Sequence, residues 1–200
     1  MQDSADRVTG APAKVFTDGA CLRNGRSDAA ASYACYVAAG VSAGRVVSGR
    51  VPPYEFRMVS GDPCDGFAAD PAKAATPTNN RGEYLAWCHA LHLLLADSAK
   101  ASAGKKAEVV SDCNLFIQTM KVWLPARRKK NTEAELKNYD LVKIGSALLD
   151  ALRANGVEVV MTHIRSHQKR PADAGTVAYE NWAGNDRADL EAKKALQSGS

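Results

Sequence analysis

The sequence predicts a mixed α/β fold, a five-stranded sheet of three antiparallel strands plus two parallel ones, flanked by helices. Three observations carry this. Three short apolar stretches with turn signals between them follow one another before residue 52. Beyond residue 79, helical apolar stripes alternate with two β-rich runs, at 107–111 and 157–164. Finally, Asp18, Glu83, Asp112 and Asp189 each fall at the start or end of an expected element, where a sheet covered by helices can gather them.

Length and composition set the limits. The 200 residues suit one domain with a substantial core. Lys and Arg number 26 against 22 Asp and Glu, a formal net charge of +4. That is mild for a chain that would handle a polyanion, so any basic surface must be local. No run of about 18 apolar residues marks a membrane span, and residues 1–13 are mixed in charge without an apolar signal region. A soluble, cytoplasmic protein that avoids membranes is expected. Cys21, Cys35, Cys64, Cys88 and Cys113 form an odd set without a Cys-x-x-Cys pair, which argues against a disulfide framework or a zinc ribbon.

In chain order, residues 1–13 read as a flexible tail, 14–197 as the folded domain and 198–200 as a second tail. Strand one is expected over 14–20, ending near Asp18, strand two over 30–39 and strand three over 44–51, an antiparallel meander. Residues 52–78 break the pattern: the stretch 52–77 holds five of the eight prolines and few periodic apolar positions, so a long loop insertion is expected. A helix starts at Asn80, with Tyr84, Trp87, Cys88, Leu91, Leu94 and Leu95 on one face. Glu83 shares that inward face, where a carboxylate is costly unless something cationic meets it. The strand at 107–111 delivers Asp112, and a helix from Asn114 is expected to end near Trp123, interrupted by Pro125 and the run Arg127, Arg128, Lys129 and Lys130. Leu141, Ile144, Leu148 and Leu152 mark a helix over 139–154 that stops at Asn155-Gly156. After the last strand and a polar loop, a final helix is expected from Trp182 or Gly184 to Gln197.

Five segments, in this order, carry a resemblance. Phe16-Thr17-Asp18-Gly19-Ala20-Cys21, Thr78-Asn79-Asn80-Arg81-Gly82-Glu83, Ser111-Asp112-Cys113, Lys137-Asn138-Tyr139-Asp140-Leu141 and Gly184-Asn185-Asp186-Arg187-Ala188-Asp189 are similar to the motifs of the type 1 ribonuclease H family. The resemblance implies the ribonuclease H-like fold and an endoribonuclease that hydrolyses the RNA strand of an RNA/DNA hybrid. It further implies two Mg²⁺ ions, with Mn²⁺ as a substitute, and products bearing a 5′-phosphate and a 3′-hydroxyl. A monomer is the expectation for a single domain of this size.

The chemistry explains the residue types. Phosphodiester hydrolysis needs an activated water, a stabilised leaving oxygen and a neutralised phosphate, which two metal ions about 3.5 to 4 Å apart can supply. Mg²⁺ takes oxygen ligands and keeps several waters, so a few carboxylates suffice. By the resemblance, Asp18 would bridge the metals, Glu83 and Asp112 would complete the coordination, and Asp189 would hold the metal nearest the attacking water. His167 falls where the family carries a histidine, and its ordinary pKa near 6.5 suits proton transfer or help with product release. Each acid alone has a plainer reading: Asp18 as a strand end, Glu83 in a helix's first turn, Asp112 as a cap, Asp189 as an exposed helical acid. His163 reads as a packing or hydrogen-bonding residue. A zinc site at His163 and His167 lacks the companion glutamate of His-Glu-x-x-His.

The resemblance assigns the RNA strand to Gly19, Cys21, Asn24, Asn79, Asn80 and Asn114, which would detect 2′-hydroxyls in the minor groove. It assigns a DNA phosphate to Thr78, Arg81 and Asn138. Phosphate contacts carry no sequence information, so cleavage should be largely sequence-independent. Trp123 with Arg127, Arg128, Lys129 and Lys130 resembles a basic protrusion along the DNA strand, or else forms a solvated charged loop. Two other readings stay open: a different metal-dependent nuclease of the same fold, and a catalytically silent hybrid-binding module. The four acids argue against the second, since a pure binder gains nothing by concentrating negative charge against phosphates.

Overall fold

In the computed structural model, residues 12–99, 106–166 and 168–198 are described. In chain order they form β1 (Ala13–Leu22), β2 (Ala30–Ala39), β3 (Val46–Arg50), β4 (Tyr54–Met58), β5 (Phe67–Ala74), α1 (Asn79–Ser98) and β6 (Lys106–Ser111). There follow α2 (Asn114–Gln118), α3 (Leu124–Arg128), α4 (Tyr139–Ala154), β7 (Glu158–His163) and α5 (Val177–Gln197). The main sheet runs β3-β2-β1-β6-β7. β1 pairs antiparallel with β2 and β2 with β3, while β6 joins β1, and β7 joins β6, in parallel. The fold is therefore ribonuclease H-like, with the mixed five-stranded sheet the sequence predicts.

Alternate side chains of β1 point to opposite faces, and each face finds its own helices. Val15 enters the main core with Leu85, Leu91, Ile144 and Leu148, beneath α1 and α4. Phe16 instead packs with Val110 and Ala188, beneath α5. Two glycines set how closely those helices approach. A Cβ at Gly82 would stand 2.3 Å from the Ser32 carbonyl oxygen of β2, and one at Gly184 would stand 2.2 Å from the Phe16 ring. Only hydrogen fits at either place, so α1 and α5 both press against the middle of the sheet. Polar ties fix α5 further: the Ser32 hydroxyl donates to the Ala192 carbonyl at 2.6 Å, and Lys14 pairs with Glu180 at 3.0 Å.

Several expectations need correction. Residues 52–78 are not a plain loop: β4 and β5 pair as a two-stranded antiparallel hairpin. Prolines hid it, yet a register shift between Tyr54 and Glu55 lets β5 carry Pro71 without breaking the ladder. Phe56 and Met58, two apart on β4, pack against the main core. Pro125 does not end the helix after β6. A π-helical segment, Thr119–Trp123, joins α2 to α3, so Pro125 falls in the first turn of α3, where its missing N–H costs little. α5 begins at Val177, well before Trp182, because Thr176 caps it by accepting from the Tyr179 N–H at 3.2 Å. Because β1 runs on to Leu22 and α5 starts at Val177, Asp18 and Asp189 stand within these elements rather than at their ends. Among the described residues, no helix is long and apolar enough to cross a membrane.

Candidate active site and nucleic-acid interface

Three elements deliver carboxylates to one point. Asp18 projects from β1, Glu83 from the first turns of α1, and Asp112 follows directly on β6. One oxygen from each lies within 4.8 Å of the others. The approach of α1 depends on Gly19, where a Cβ would meet the Glu83 nitrogen at 2.6 Å. The Gly19 N–H donates to Asp18 Oδ1 at 2.7 Å, and Asn185 Nδ2 donates to Asp112 Oδ2 at 3.3 Å. Asp189, on α5, stands on the rim of the same groove, outside the trio. Its Oδ2 accepts a hydrogen bond from Lys193 Nζ at 2.6 Å.

The electrostatics of this cluster are unbalanced. Asp18 is 5 % exposed and Glu83 3 %. Burial, then the charges of Asp112 and Asp189, push the Asp18 carboxyl up to about 8, with the Gly19 N–H offsetting only part of this. Burial, then Asp18 and Asp112, hold Glu83 well above the ordinary carboxylate range. Glu83 Oε2 is buried with no hydrogen-bond partner. A buried acceptor of this kind costs about 1–3 kcal/mol or more, and a cation in the cluster would relieve both it and the mutual repulsion. All the donors are hard oxygens, which fits Mg²⁺ or Mn²⁺ rather than a thiolate-seeking metal. Next to the trio, burial, then Glu83, push the Cys113 thiol up to about 12.

The remaining residues singled out in the sequence divide between the site and the scaffold. Gly19, Cys21 and Asn79 line the carboxylate groove, whose volume is about 580 Å³. Asn24 lies beside them, its Oδ1 accepting from the Asn79 N–H at 3.2 Å. Asn80 lines a separate groove of about 790 Å³, together with Trp123, Arg127, Lys130 and Asn138. Asn114 is exposed at the start of α2. Arg128 turns toward α4, donating to Ser146 Oγ at 2.9 Å, and Arg127 pairs with Glu135. Lys129 and Lys130 are exposed. His163 Nε2 lies 3.1 Å from the Asp112 carbonyl oxygen. His167 lies outside the described residues.

The phosphate reading of Arg81 requires correction. This side chain is 4 % exposed, and its guanidinium reaches Asp140 at 2.6 and 3.0 Å and the Tyr54 carbonyl at 3.0 Å. A guanidinium so enclosed joins α1, α4 and β4 instead of facing a ligand. Thr78 Oγ1 is engaged as the cap of α1, accepting from the Arg81 N–H at 3.2 Å. Asn138, at φ 57° before α4, lines the 790 Å³ groove. Sequence reasoning assigned no role to Asn185, Lys193 or Asp140. Spacing held the signal for the first two, since Asn185, Asp189 and Lys193 recur every four residues on one helical face.

The RNase H family model matches residues 11–197. No curated protein matches the chain. Among solved structures, LC9-RNase H1, described as a type 1 RNase H with the type 2 active-site motif, is 17 % identical with a TM-score of 0.53. That match covers 98 % of this chain and 76 % of the other. The PFV RNase H domain is 14 % identical with a TM-score of 0.53, over 94 % and 96 % of the two chains. A foamy viral protease-reverse transcriptase in complex with an RNA/DNA hybrid is 14 % identical with a TM-score of 0.59, over 98 % of this chain and 22 % of that one. At such identities the likeness is one of fold.

Proposed function

This chain belongs to the RNase H family, and on that premise we propose that it hydrolyses the RNA strand of RNA/DNA hybrids by a two-metal-ion mechanism. The products are a 5′-phosphate and a 3′-hydroxyl. The observation that carries the reading is the trio Asp18, Glu83 and Asp112, with oxygens within 4.8 Å and a buried, unpartnered Glu83 Oε2. Divalent ions bound there would supply Lewis acidity for the attacking water and charge neutralisation at the scissile phosphate.

The chain's own residues do the rest. Asp18, Glu83 and Asp112 would hold the ions, and Asn185 orients Asp112 by its hydrogen bond. Asp189, paired with Lys193 at 2.6 Å on the groove rim, would add a fourth carboxylate to the ions' surroundings. Gly19, Cys21, Asn24 and Asn79 face the RNA strand from the groove walls, and Asn80 and Asn114 extend that contact. Thr78 and Asn138 hold a DNA phosphate, with Trp123, Lys129 and Lys130 farther along the strand. His167 serves proton transfer or product release. Cleavage products of end-labelled hybrid, duplex DNA and duplex RNA, each with Mg²⁺, Mn²⁺ or chelator, test the reading. Cuts confined to the RNA of the hybrid and dependent on metal are expected, and cutting of duplex DNA would overturn it.

A further inference from the structure

The β4–β5 hairpin is fastened at both ends. Near α4, the Phe56 N–H donates to Asp140 Oδ2 at 2.9 Å, and Arg81 Nη2 donates to the Tyr54 carbonyl at 3.0 Å. The Arg81–Asp140 pair is nearly sealed from solvent, with side chains 5 % and 7 % exposed. Toward the hairpin's tip, Phe67 packs on His89, ring centroids 4.8 Å apart, and His89 stacks on Tyr33 at 4.6 Å. The hairpin is thus tied to α1 and α4, the helices whose starts carry Thr78 and Asn138.

Between the hairpin and α4 lies a groove of about 570 Å³ lined by Arg57, Lys73, Lys143 and Asn138. Its charges do not cancel. Arg81 and Asp140 neutralise each other within it. Lys73 has only a loose partner in Glu55, 3.8 Å away, with the two side chains 64 % and 42 % exposed. Arg57 bonds the Met58 carbonyl, and among the described residues no acid pairs with Arg57 or Lys143. This groove and the one holding Trp123 and Lys130 share Leu136 and Asn138 on their walls. The two therefore meet at Asn138, and cations from three elements flank the shared path. Arg57 stands opposite Ala68 whereas Lys73 lies beside Glu55, nearer the Tyr54–Ala74 end, so the hairpin's two cations sit at different heights, an arrangement that suits a repeating anion.

Taking the proposed function as given, we propose that the hairpin and α4 form an auxiliary phosphate track. In it, Arg57, Lys73 and Lys143 hold the DNA-strand backbone of the hybrid beyond Asn138. The three side chains position the duplex and contact no base, so the track lengthens the footprint without adding sequence preference.

The test is hybrid binding by fluorescence anisotropy across a salt series, in the Asp18→Asn protein with and without Arg57→Ser, Lys73→Ser and Lys143→Ser. All three side chains are exposed, so melting temperature should hold. The triple variant is expected to raise Kd about tenfold at 0.1 M salt and to flatten the slope of log K against log salt by about 2 to 3. A control with the same charge loss elsewhere, Lys106→Ser with Arg153→Ser and Lys194→Ser, should leave the slope in place. On a hybrid whose DNA strand carries uncharged methylphosphonate linkages, the difference between triple variant and parent should vanish. An unchanged slope, an equal effect of the control, or a difference persisting on the uncharged strand overturns the track. Wild-type cleavage is assayed alongside: no cleavage defeats the proposed function, whereas normal cleavage with an unchanged slope defeats the track alone.

Discussion

Replacing Asp18 by Asn should abolish cleavage and, without metal, make the protein more stable, by an amount that grows with pH. The folded Asp18 carboxyl is pushed up to about 8 by burial, then by Asp112 and Asp189, against about 3.9 in an unfolded chain. Between those values the folded protein keeps a proton that the unfolded chain has released. The stabilisation from that proton is complete below about pH 4 and is lost as pH rises through about 8, with a slope of up to about 1.4 kcal/mol per pH unit. The ceiling is about 5 to 6 kcal/mol. Because Asp18 and Glu83 share their titration, part of the loss survives in the variant, and a gain of about 2 to 3 kcal/mol at pH 8 is expected. The Asn side chain keeps an oxygen for the Gly19 N–H, so shape changes little. In a domain of this size the gain raises Tm by about 5 to 10 °C. Melting in chelator at pH 5, 6, 7 and 8 reads it directly, and saturating Mg²⁺ should reverse the order by stabilising only the wild type. A variant no more stable than wild type at pH 8 in chelator, or an advantage that ignores pH, is incompatible with a buried Asp18 carboxyl that keeps its proton.

Three further substitutions probe the scaffold. Asn185→Ala removes the donor to Asp112 and should weaken Mg²⁺ dependence of cleavage about 10- to 100-fold in half-saturating concentration, as a metal titration would show. Gly82→Ala places a methyl 2.3 Å from the Ser32 carbonyl oxygen and should cost about 1 to 3 kcal/mol in urea unfolding while misplacing Glu83. Asp140→Ala strands the buried Arg81 charge. It should cost about 3 to 5 kcal/mol and open the hairpin to limited proteolysis, an outcome that intact wild-type-like resistance would contradict.

The sheet and the acids were legible because they rest on patterns a sequence displays. A short apolar run between turn signals marks residues 30–39, now β2, and the i, i+3, i+4 stripe from Tyr84 to Leu95 marks α1. The hairpin was hidden because Pro53, Pro63 and Pro71 argue against strands, while the bulge that accommodates Pro71 is a property of pairing that only tertiary structure supplies. Arg81 shows a different limit. A sequence gives an arginine beside a phosphate-binding motif, but not whether Asp140, 59 residues away, will enclose it. Position alone could have restrained that reading, since Asp140 falls in the first turn of a helix next to Asn138. Asp189 lies on the groove rim, and its ion pair with Lys193 is foreshadowed by their spacing of four on one helical face.

On the proposed function, the carboxylates of β1, α1 and β6, joined by Asp189, would hold the divalent ions on which RNA-strand cutting depends. The most direct measurement titrates Mg²⁺ into metal-free protein by calorimetry, for wild type and for Glu83→Gln, and follows cleavage of a labelled hybrid in the same samples. Heat from ion binding that rises in step with RNA-strand cutting in the wild type, and the loss of both in the variant, is the result expected. Cutting that proceeds in the metal-free sample, or ion binding left intact by Glu83→Gln, would contradict it.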